Sequence, residues 1–340
     1  MSSPPVVTVI TPTKNRCSLL MEAIASVAAQ SFSDWEHIIV DDGSDDGTVE
    51  MASNLATADP RIRYLQREAY ISGANACRNQ GLAEARGEFI VFLDSDDLLD
   101  PHCLSQRVDV MCRNADLDFA TYCSSVFCKA RGDIAGQTID NSILGDDLLK
   151  FLYFEVPWII TSPIWRRTSL NRLGGFDESL LSWQDIDLHI RALVLGFHYI
   201  RFSDIDHHVR WSWDLTRVSV QQRLSPKHLM AASRTLIKFE ELIQSGPGFN
   251  WSRQRALCGS YFFCSERWVE IDKPHKAQSF WRQARCRGLC PAGIYFSGAF
   301  FLALIWISRF LGGAMFRLCQ RIVHKWKGLV RMRLNPELVN

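Results

Sequence analysis

Four short apolar segments alternate with helical segments in the first hundred residues, and this alternation constrains the fold more than any other feature. The apolar segments cover residues 6–11, 36–42, 62–66 and 88–93. They are rich in β-branched residues, and the stretches between them carry apolar side chains at helical spacing. Strands that alternate with helices at this spacing predict βαβ units and a parallel sheet. The sequence therefore predicts an α/β fold.

Polar loops follow three of the four predicted strands. They read "TPTKNR", "VDDGSDDG" and "LDSDD". Because open α/β sheets bind ligands at the carboxyl ends of their strands, we expect the functional site at these loops. No G-x-G-x-x-G follows the first strand, and no G-x-x-x-x-G-K-[ST] occurs in the chain. The sequence therefore argues against a nicotinamide or flavin cofactor and against a P-loop enzyme.

The aspartates at the end of the fourth strand predict a metal site. Asp94 and Asp96 are two positions apart, so an extended chain places both side chains on the same side. Carboxylates this close repel each other unless a cation lies between them. A hard divalent cation, Mg²⁺ or Mn²⁺, meets that need and takes its remaining ligands from phosphate and water. An isolated Asp-x-Asp is also common on ordinary surfaces, and Asp100 beside Pro101 is predicted to cap a helix.

Four segments resemble motifs of the family 2 glycosyltransferases with a GT-A fold. They read "VVTVITPTKNR", "WEHIIVDDGSDDGT", "GANACRNQGLAEARGEFIVFLDSDDLLDP" and "LGGFDESLLSWQDIDLHIRALVLG". The segments occur in the family's order and spacing from residue 6 to about residue 197, over half of the chain. The resemblance implies a GT-A type nucleotide-diphospho-sugar transferase fold, which is a Rossmann-like, mostly parallel sheet flanked by helices. A helical C-terminal extension is expected to follow it.

The resemblance also implies roles for individual residues. Asp185 would be the catalytic base, preceded by Gln184 where the family usually has glutamate. Asp96 and Asp94 would hold Mn²⁺ or Mg²⁺. The family's Arg-x-His element reads Arg210 and Ser212 here, so His208 is a candidate additional metal ligand, with an ordinary structural histidine as the alternative. Contacts to the nucleotide-sugar are implied for Pro12, Asn15, Asp42, Arg78, Asp94 and Asp97. Trp183 and Gln184 are implied on the acceptor side, although a lone tryptophan fits packing equally well.

The function that the resemblance implies is inverting, metal-dependent transfer of a sugar from a nucleotide-sugar, most simply a UDP-sugar, to a hydroxyl. The acceptor would be a glycan or a lipid-linked molecule in surface polysaccharide or lipid-linked glycan biosynthesis. Two alternatives stay open, a sugar-nucleotide nucleotidyltransferase and a catalytically inactive sugar-nucleotide-binding protein. The first requires a glycine-rich loop after the first strand, which is absent, and the intact Asp96 and Asp185 argue against the second.

The sequence divides into a GT-A domain at 1–222, a helical extension at 223–288 and an apolar helix with a basic tail at 289–340. Residues 289–308 carry no charge over 20 positions, which reaches the length of a membrane span. Arginines flank this segment on both sides, which favours a helix in the membrane interface, or a re-entrant one, over a single span. A helix buried in protein or in an oligomer interface is the remaining alternative, and the sequence assigns no oligomeric state.

The net charge and the cysteine content indicate which partners and which compartment to expect. The net charge of +1 gives no reason to expect a nucleic-acid partner. Eleven cysteines without a C-x-x-C pair fit a reducing compartment. No signal peptide is recognised at the N-terminus. We therefore expect a cytoplasmic protein, peripheral at the inner face of the cell membrane.

Overall fold

The computed structural model describes residues 3–67, 72–134, 137–139, 145–211, 225–308, 318–319 and 321–326. Two compact units are formed by 1–145, 156–179 and 184–213, and by 146–155, 180–183 and 214–340. The strands described are β1 (Val7–Thr13), β2 (Trp35–Asp41), β3 (Ile62–Gln66), β4 (Phe89–Phe92), β5 (Leu98–Leu99), β6 (Phe119–Phe127), β7 (Thr138–Ile139), β8 (Pro163–Arg166) and β9 (Tyr199–Arg210).

The helices described in the first unit are α1 (Cys17–Ala28), α2 (Thr48–Ala58), α3 (Ala74–Glu84), α4 (Cys103–Arg113), α6 (Arg167–Leu173) and α7 (Gln184–Val194). Those of the second unit are α5 (Asp147–Leu152), α8 (Pro226–Ser245), α9 (Trp251–Glu270), α10 (Pro274–Cys286) and α11 (Ala292–Ser308). Strands and helices alternate through α3, so the α/β prediction is confirmed.

The first unit is built on a mixed sheet. Among the described residues its strand order is β3-β2-β1-β4-β8-β6-β9-β5, with β7 paired to β6. The four strands that the sequence predicts in the first hundred residues run parallel, whereas β8 is antiparallel to both β4 and β6. Every residue of β1, β2 and β4 is buried, as expected for parallel strands with both faces covered.

The register of the parallel strands brings the polar loops together. β1 lies between β2 and β4, with Thr13 opposite Asp41 and Ile10 opposite Phe92. The backbone N–H of Leu93 donates to the carbonyl of Ile10 at 3.0 Å, which continues the β1–β4 pairing to the end of β4. The loops after β1, β2 and β4 therefore leave the sheet at one edge, where the sequence places the site.

A glycine just after a helical stretch is predicted to end the helix, but Gly87 does not end helix α3. The helix ends at Glu84, and Gly87 lies against β1 instead. Its N–H donates to Thr8 Oγ1 at 2.9 Å, and a Cβ at this position would lie 2.5 Å from the backbone nitrogen of Thr8. Only glycine permits this approach of two backbones. The residue serves the entry into β4 rather than the end of α3.

The second unit is helical, and its core is aromatic. Phe239, Tyr261 and Trp281 are each almost completely buried, and the Tyr261 hydroxyl donates to Glu240 Oε2 at 2.8 Å. Helix α11 packs closely on Trp281, because a Cβ on Gly298 would lie 2.6 Å from that ring. Among the described residues, no helix combines the length and the apolarity that a membrane span requires.

Candidate active site

Two aspartates after β4 are each paired with an arginine from another element. Asp94 Oδ1 lies 2.6 Å from Nη2 of Arg78, which is on α3. Asp96 Oδ2 lies 2.8 Å from Nη1 of Arg16, which immediately precedes α1. An opposite charge at this distance stabilises an ionised carboxylate, which explains how several acids can follow a buried strand. The resemblance implies a site role for Arg78, whereas sequence reasoning missed Arg16.

Asp97 is buried behind these pairs. Its Oδ2 accepts a hydrogen bond from Thr161 Oγ1 and its Oδ1 accepts one from the Arg210 N–H, both at 3.1 Å. Burial raises the pKa of Asp97 well above its usual range, and the negative charges of Asp96 and Asp94 raise it further, against these two hydrogen bonds. These two hydrogen bonds tie Asp97 to other segments, so it supports the loop after β4, and its contact with the nucleotide-sugar stays a prediction.

The carboxylate predicted to recognise the base, Asp42, lies at the end of β2 among basic groups. It pairs with Arg67 through Oδ1, and Oδ2 accepts a hydrogen bond from the N–H of Gly73 at 3.1 Å. The ammonium of Lys14 lies 3.8 Å from the same Oδ2. Sequence reasoning missed both Lys14 and Arg67, although Lys14 belongs to the loop "TPTKNR" that it singled out.

Asn15 joins the loops after β1 and β2. It has a φ of 51°, which asparagine tolerates better than most residues. Its N–H donates to Ser44 Oγ and its Oδ1 accepts from the Asp45 N–H, each at 2.8 Å. Pro12 is buried within β1, opposite Val40 of β2. These two residues therefore shape the edge of the sheet beside Asp42.

Asp185 occupies the first turn of α7, directly after Gln184, which is the first residue of that helix and is half-buried. The N–H of Ile186 donates to Asp185 Oδ1 at 2.9 Å. Burial raises the pKa of Asp185, the Arg78 guanidinium opposes the rise, and the Asp94 carboxylate adds to it. Asp185 therefore shares one electrostatic environment with Asp94 and Arg78. A raised pKa suits a group that must accept a proton.

His208 is hydrogen-bonded through both ring nitrogens. Its Nδ1 lies 2.5 Å from Ser125 Oγ and its Nε2 lies 2.8 Å from Asp100 Oδ1. The antiparallel pairing of β5 and β9 sets His208 opposite Leu98. These contacts support the alternative of an ordinary structural histidine, and a role as additional metal ligand stays a prediction. Asp100 as a helix cap is wrong, because its carboxylate pairs with His208 and with Arg131 at 2.9 Å.

Trp183 packs with aromatic residues of the second unit. Its ring centroid lies 4.6 Å from that of Phe154 and 6.5 Å from that of Phe239. The backbone of Trp183 has a φ of 59°, which is rare for a bulky residue. The structure therefore supports packing, the alternative that the sequence left open, over a stacking role on the acceptor side.

A buried polar network supports the loop that holds Asp97. The guanidinium of Arg107 donates to both oxygens of Asp206, at 2.7 and 2.8 Å, and to the carbonyl of Thr161 at 3.0 Å. His207 bridges Asp206 and Ser124 at 2.8 and 2.7 Å, and burial lowers its pKa. The order Ser-His-Asp resembles a hydrolytic triad, but all three side chains are buried. The network is a scaffold, which sequence reasoning missed.

The donor atoms at the end of β4 fit a hard divalent cation that binds together with a phosphate ligand. Among the described residues no group of three or more His, Cys, Asp and Glu side chains is arranged to hold a metal ion. Mg²⁺ in nucleotide enzymes commonly needs only one or two carboxylates, because phosphates and water complete its shell. Asp96 and Asp94 would supply these carboxylates, since oxygen is the ligand that Mg²⁺ and Mn²⁺ prefer.

The sequence of this chain is similar to those of known glycosyltransferases. The profile of "Glycosyl transferase family 2" matches residues 8–154. A putative colanic acid biosynthesis glycosyl transferase, WcaA, of Escherichia coli (strain K12) is 42% identical over 194 residues, 57% of this chain and 68% of that protein. The GalNAc(5)-diNAcBac-PP-undecaprenol beta-1,3-glucosyltransferase of Campylobacter jejuni is 37% identical over 133 residues, 39% of this chain and 42% of that protein. This chain thus matches less than half the length of some curated relatives.

Two solved structures have a similar fold. S. aureus TarS 1–349 in complex with UDP-GlcNAc has a TM-score of 0.64 at 17% identity, and the match covers 88% of this chain and 91% of that TarS chain. The mannosyltransferase PcManGT from Pyrobaculum calidifontis, in complex with GDP-Man and Mn²⁺, has a TM-score of 0.54 at 19% identity. The match covers 97% of this chain and 87% of the PcManGT chain. At these identities the likeness concerns the fold, and the GT-A type fold is confirmed.

Proposed function

Because this chain belongs to glycosyl transferase family 2, we propose that it transfers a sugar from a nucleotide-sugar to a hydroxyl group. One observation carries the proposal: Asp94 pairs with Arg78 after β4, two residues before Asp96, and the charges of Asp94 and Arg78 both act on the pKa of Asp185. Asp94 and Asp96 are acids that fit a cation bound with a diphosphate, and Asp185 is a carboxylate of raised pKa. Together these residues would supply stabilisation of the leaving group and a base.

The acceptor hydroxyl attacks the anomeric carbon of the donor sugar. Asp185 takes the hydroxyl proton as the new C–O bond forms and the bond between the anomeric carbon and the diphosphate oxygen breaks. The departing nucleoside diphosphate keeps the bonding electron pair. A divalent cation held by Asp96 and Asp94 would offset that negative charge when bound. Attack from the face opposite the diphosphate inverts the anomeric configuration.

The proposed donor is a UDP-sugar and the proposed acceptor is a glycan or a lipid-linked molecule. The carboxylate of Asp42 accepts hydrogen bonds, and a uracil imide is a donor. The TarS structure holds UDP-GlcNAc, and the name of the Campylobacter jejuni relative states a PP-undecaprenol substrate. These findings support a role in surface polysaccharide or lipid-linked glycan biosynthesis.

A donor screen tests the proposal. We expect nucleoside diphosphate to be released from UDP-linked sugars in the presence of Mn²⁺ and acceptor. Chelation with EDTA should lower the rate by about 100-fold or more, because a metal ion contributes several kcal/mol to stabilisation of the leaving group. Turnover that is equal with and without EDTA would contradict the proposed metal dependence of the transfer. Pyrophosphate release from UTP and a sugar 1-phosphate would instead support the nucleotidyltransferase alternative.

We also propose that the second unit binds an anionic membrane through α11. Phe296, Phe300 and Ile307 are 69%, 62% and 46% exposed, and they lie on one face of this helix. The opposite face is buried through Gly298, Leu302 and Ile305. Basic side chains are exposed on the segments at either end of α11: Arg282, Arg285, Arg321 and Lys325. Apolar side chains flanked by basic ones fit a helix that lies in the headgroup region of a membrane with anionic lipids.

Replacing Phe296 and Phe300 together by glutamate should abolish binding to vesicles that contain anionic lipid. Burial of one such side chain contributes about 1.5–3 kcal/mol, so the double variant should bind at least about 100-fold more weakly. Vesicle sedimentation measures this, and Leu195→Glu, which charges an exposed apolar side chain of the first unit, should bind like wild type. Unchanged sedimentation of the double variant would exclude this face.

The eleven free cysteines support the cytoplasmic side as the proposed location.

A further inference from the structure

We propose that Arg16 is a donor-binding residue that moves between two partners. It neutralises Asp96 while no donor is bound, and it turns to the donor's diphosphate when a divalent cation takes its place at Asp96. This inference rests on the proposed function, since it assumes that a nucleoside diphosphate and a divalent cation bind after β4. It adds a residue from the loop after β1 to the machinery that stabilises the leaving group.

The contact between the two side chains is the first support. Nη1 of Arg16 lies 2.8 Å from Oδ2 of Asp96, and the side chains are 30% and 10% exposed. The backbone of Asp96 is tied down as well, because its carbonyl accepts a hydrogen bond from Arg210 Nε at 3.1 Å. The arginine is thus the more accessible partner, and it covers the carboxylate to which a cation would bind.

The backbone that carries Arg16 is fixed, so only its side chain needs to move. Its N–H donates to Thr48 Oγ1 at 3.3 Å and its carbonyl accepts from the Leu20 N–H at 2.8 Å. The next residue, Cys17, donates its N–H to Asp46 Oδ2 at 3.3 Å. The loop after β2 and the first turn of α1 therefore hold Arg16 in place. Rotamer changes of a partly exposed arginine are fast on the timescale of catalysis.

Charge balance requires such an exchange. Asp94 pairs with Arg78, and Asp96 pairs with Arg16. A divalent cation at Asp96 neutralises this carboxylate and repels the guanidinium, because like charges at contact distance disfavour each other. The cation arrives with a diphosphate, which brings new negative charge to the same edge of the sheet. Arginine is the side chain best suited to phosphate, since its planar guanidinium binds two oxygens at once.

The exchange predicts that metal and nucleotide bind with positive coupling. In the wild type, Mn²⁺ alone must displace Arg16 from Asp96, whereas UDP offers the displaced arginine a new partner. Each ligand therefore makes the other bind more tightly, and by the same factor. Without Arg16, Mn²⁺ no longer has to displace an arginine from Asp96, and UDP no longer gains that arginine as a partner. The coupling between Mn²⁺ and UDP binding should therefore weaken.

The experiment compares wild type with Arg16→Ala and Arg16→Lys. Free Mn²⁺ is followed by electron paramagnetic resonance during titration without nucleotide, and UDP is titrated calorimetrically at saturating Mn²⁺. Arg16→Ala should bind Mn²⁺ alone more tightly than wild type, and UDP about tenfold or more weakly, as for loss of a hydrogen bond between charged groups. Arg16→Lys should recover part of the UDP affinity. Arg172→Ala, which breaks another Arg–Asp pair of 2.8 Å on the first unit, should match wild type in both titrations.

Two results overturn the inference. If Arg16→Ala binds Mn²⁺ and UDP as wild type does, the pair with Asp96 is an ordinary surface ion pair. If it binds both more weakly while melting at the wild-type temperature, Arg16 orients Asp96 and does not compete for it. Failure of the proposed function is distinguishable, because wild type itself would then bind no UDP in the presence of Mn²⁺.

Discussion

Asp185→Asn should abolish sugar transfer while the donor still binds. The amide cannot take a proton from the acceptor hydroxyl, and a positioned general base contributes about 10²- to 10⁴-fold to rate. Turnover should fall by that factor, and UDP affinity in the presence of Mn²⁺ should stay at the wild-type value. Asp204→Asn is the matched control, because it makes the same change at an exposed position of β9. Turnover of Asp185→Asn within threefold of wild type would exclude Asp185 as the base.

The pH profile gives a second readout of the same residue. A base works only when ionised, and burial raises the pKa of Asp185. The rate should therefore fall, as pH is lowered, at a higher pH than the value of about 3.9 for an exposed aspartate. An acid limb at or below that value would show that another group accepts the proton.

Asp185→Asn should not lower the melting temperature of the protein. A carboxyl group whose pKa is raised by folding contributes stability at pH below its unfolded pKa, and that contribution is lost as pH rises through the folded pKa. At pH 7.5 the ionised Asp185 is therefore unfavourable in the folded protein. Asp185→Asn should melt at the wild-type temperature or above it, which separates a loss of turnover from a loss of fold.

Asp96→Asn should remove metal-dependent donor binding, the second large effect. An amide is a poor ligand for a hard cation, and even changes behind the direct ligands cost about 10- to 100-fold in metal affinity. We expect Mn²⁺ to bind at least 100-fold more weakly in the titration without nucleotide, and UDP to lose its dependence on Mn²⁺. Asp185→Asn, in contrast, should keep both the wild-type Mn²⁺ affinity and the dependence of UDP binding on Mn²⁺.

Asp100→Asn is the control within the same stretch of sequence. Asp100 follows Asp96 by four residues, yet its carboxylate pairs with Arg131 and His208 rather than with Arg16. Its Mn²⁺ and UDP affinities should equal those of wild type. Unchanged Mn²⁺ affinity in Asp96→Asn would contradict the metal site, and an equal loss in both variants would assign the effect to general disturbance of the loop.

Much of the first unit was predictable because its signals are local. The strands before Asp42 and Asp94, and the strand that contains Pro12, are buried on both faces of the sheet, so they are rich in apolar and β-branched residues. Strand alternation with helices then fixes a parallel order, and this places the polar loops at one edge. Gly87 shows the limit of local reasoning, because its role depends on the distance to a strand far away in sequence.

The partners of the site residues were not predictable in the same way. The types and positions of His208 and Trp183 in the sequence fit a metal ligand and an acceptor contact. In the structure, however, His208 is hydrogen-bonded to Ser125 and Asp100, and Trp183 packs against aromatic side chains. The loop containing Arg16 was visible in the sequence, but no pattern indicates which acid the arginine meets. Such contacts join residues that are tens of positions apart, and spacing carries no information about them.

The sequence by itself determined the α/β class and the edge at which the polar loops leave the sheet, because these follow from periodicity. Its short motifs and its family resemblance named the candidate acids Asp94, Asp96 and Asp185. The tertiary structure alone decided how the charges are balanced. It pairs Asp96 with Arg16, buries Asp97 against Thr161, and raises the pKa of Asp185. The physical reason is that electrostatic energy depends on distance and burial, and both are set only when separate segments of the chain pack together.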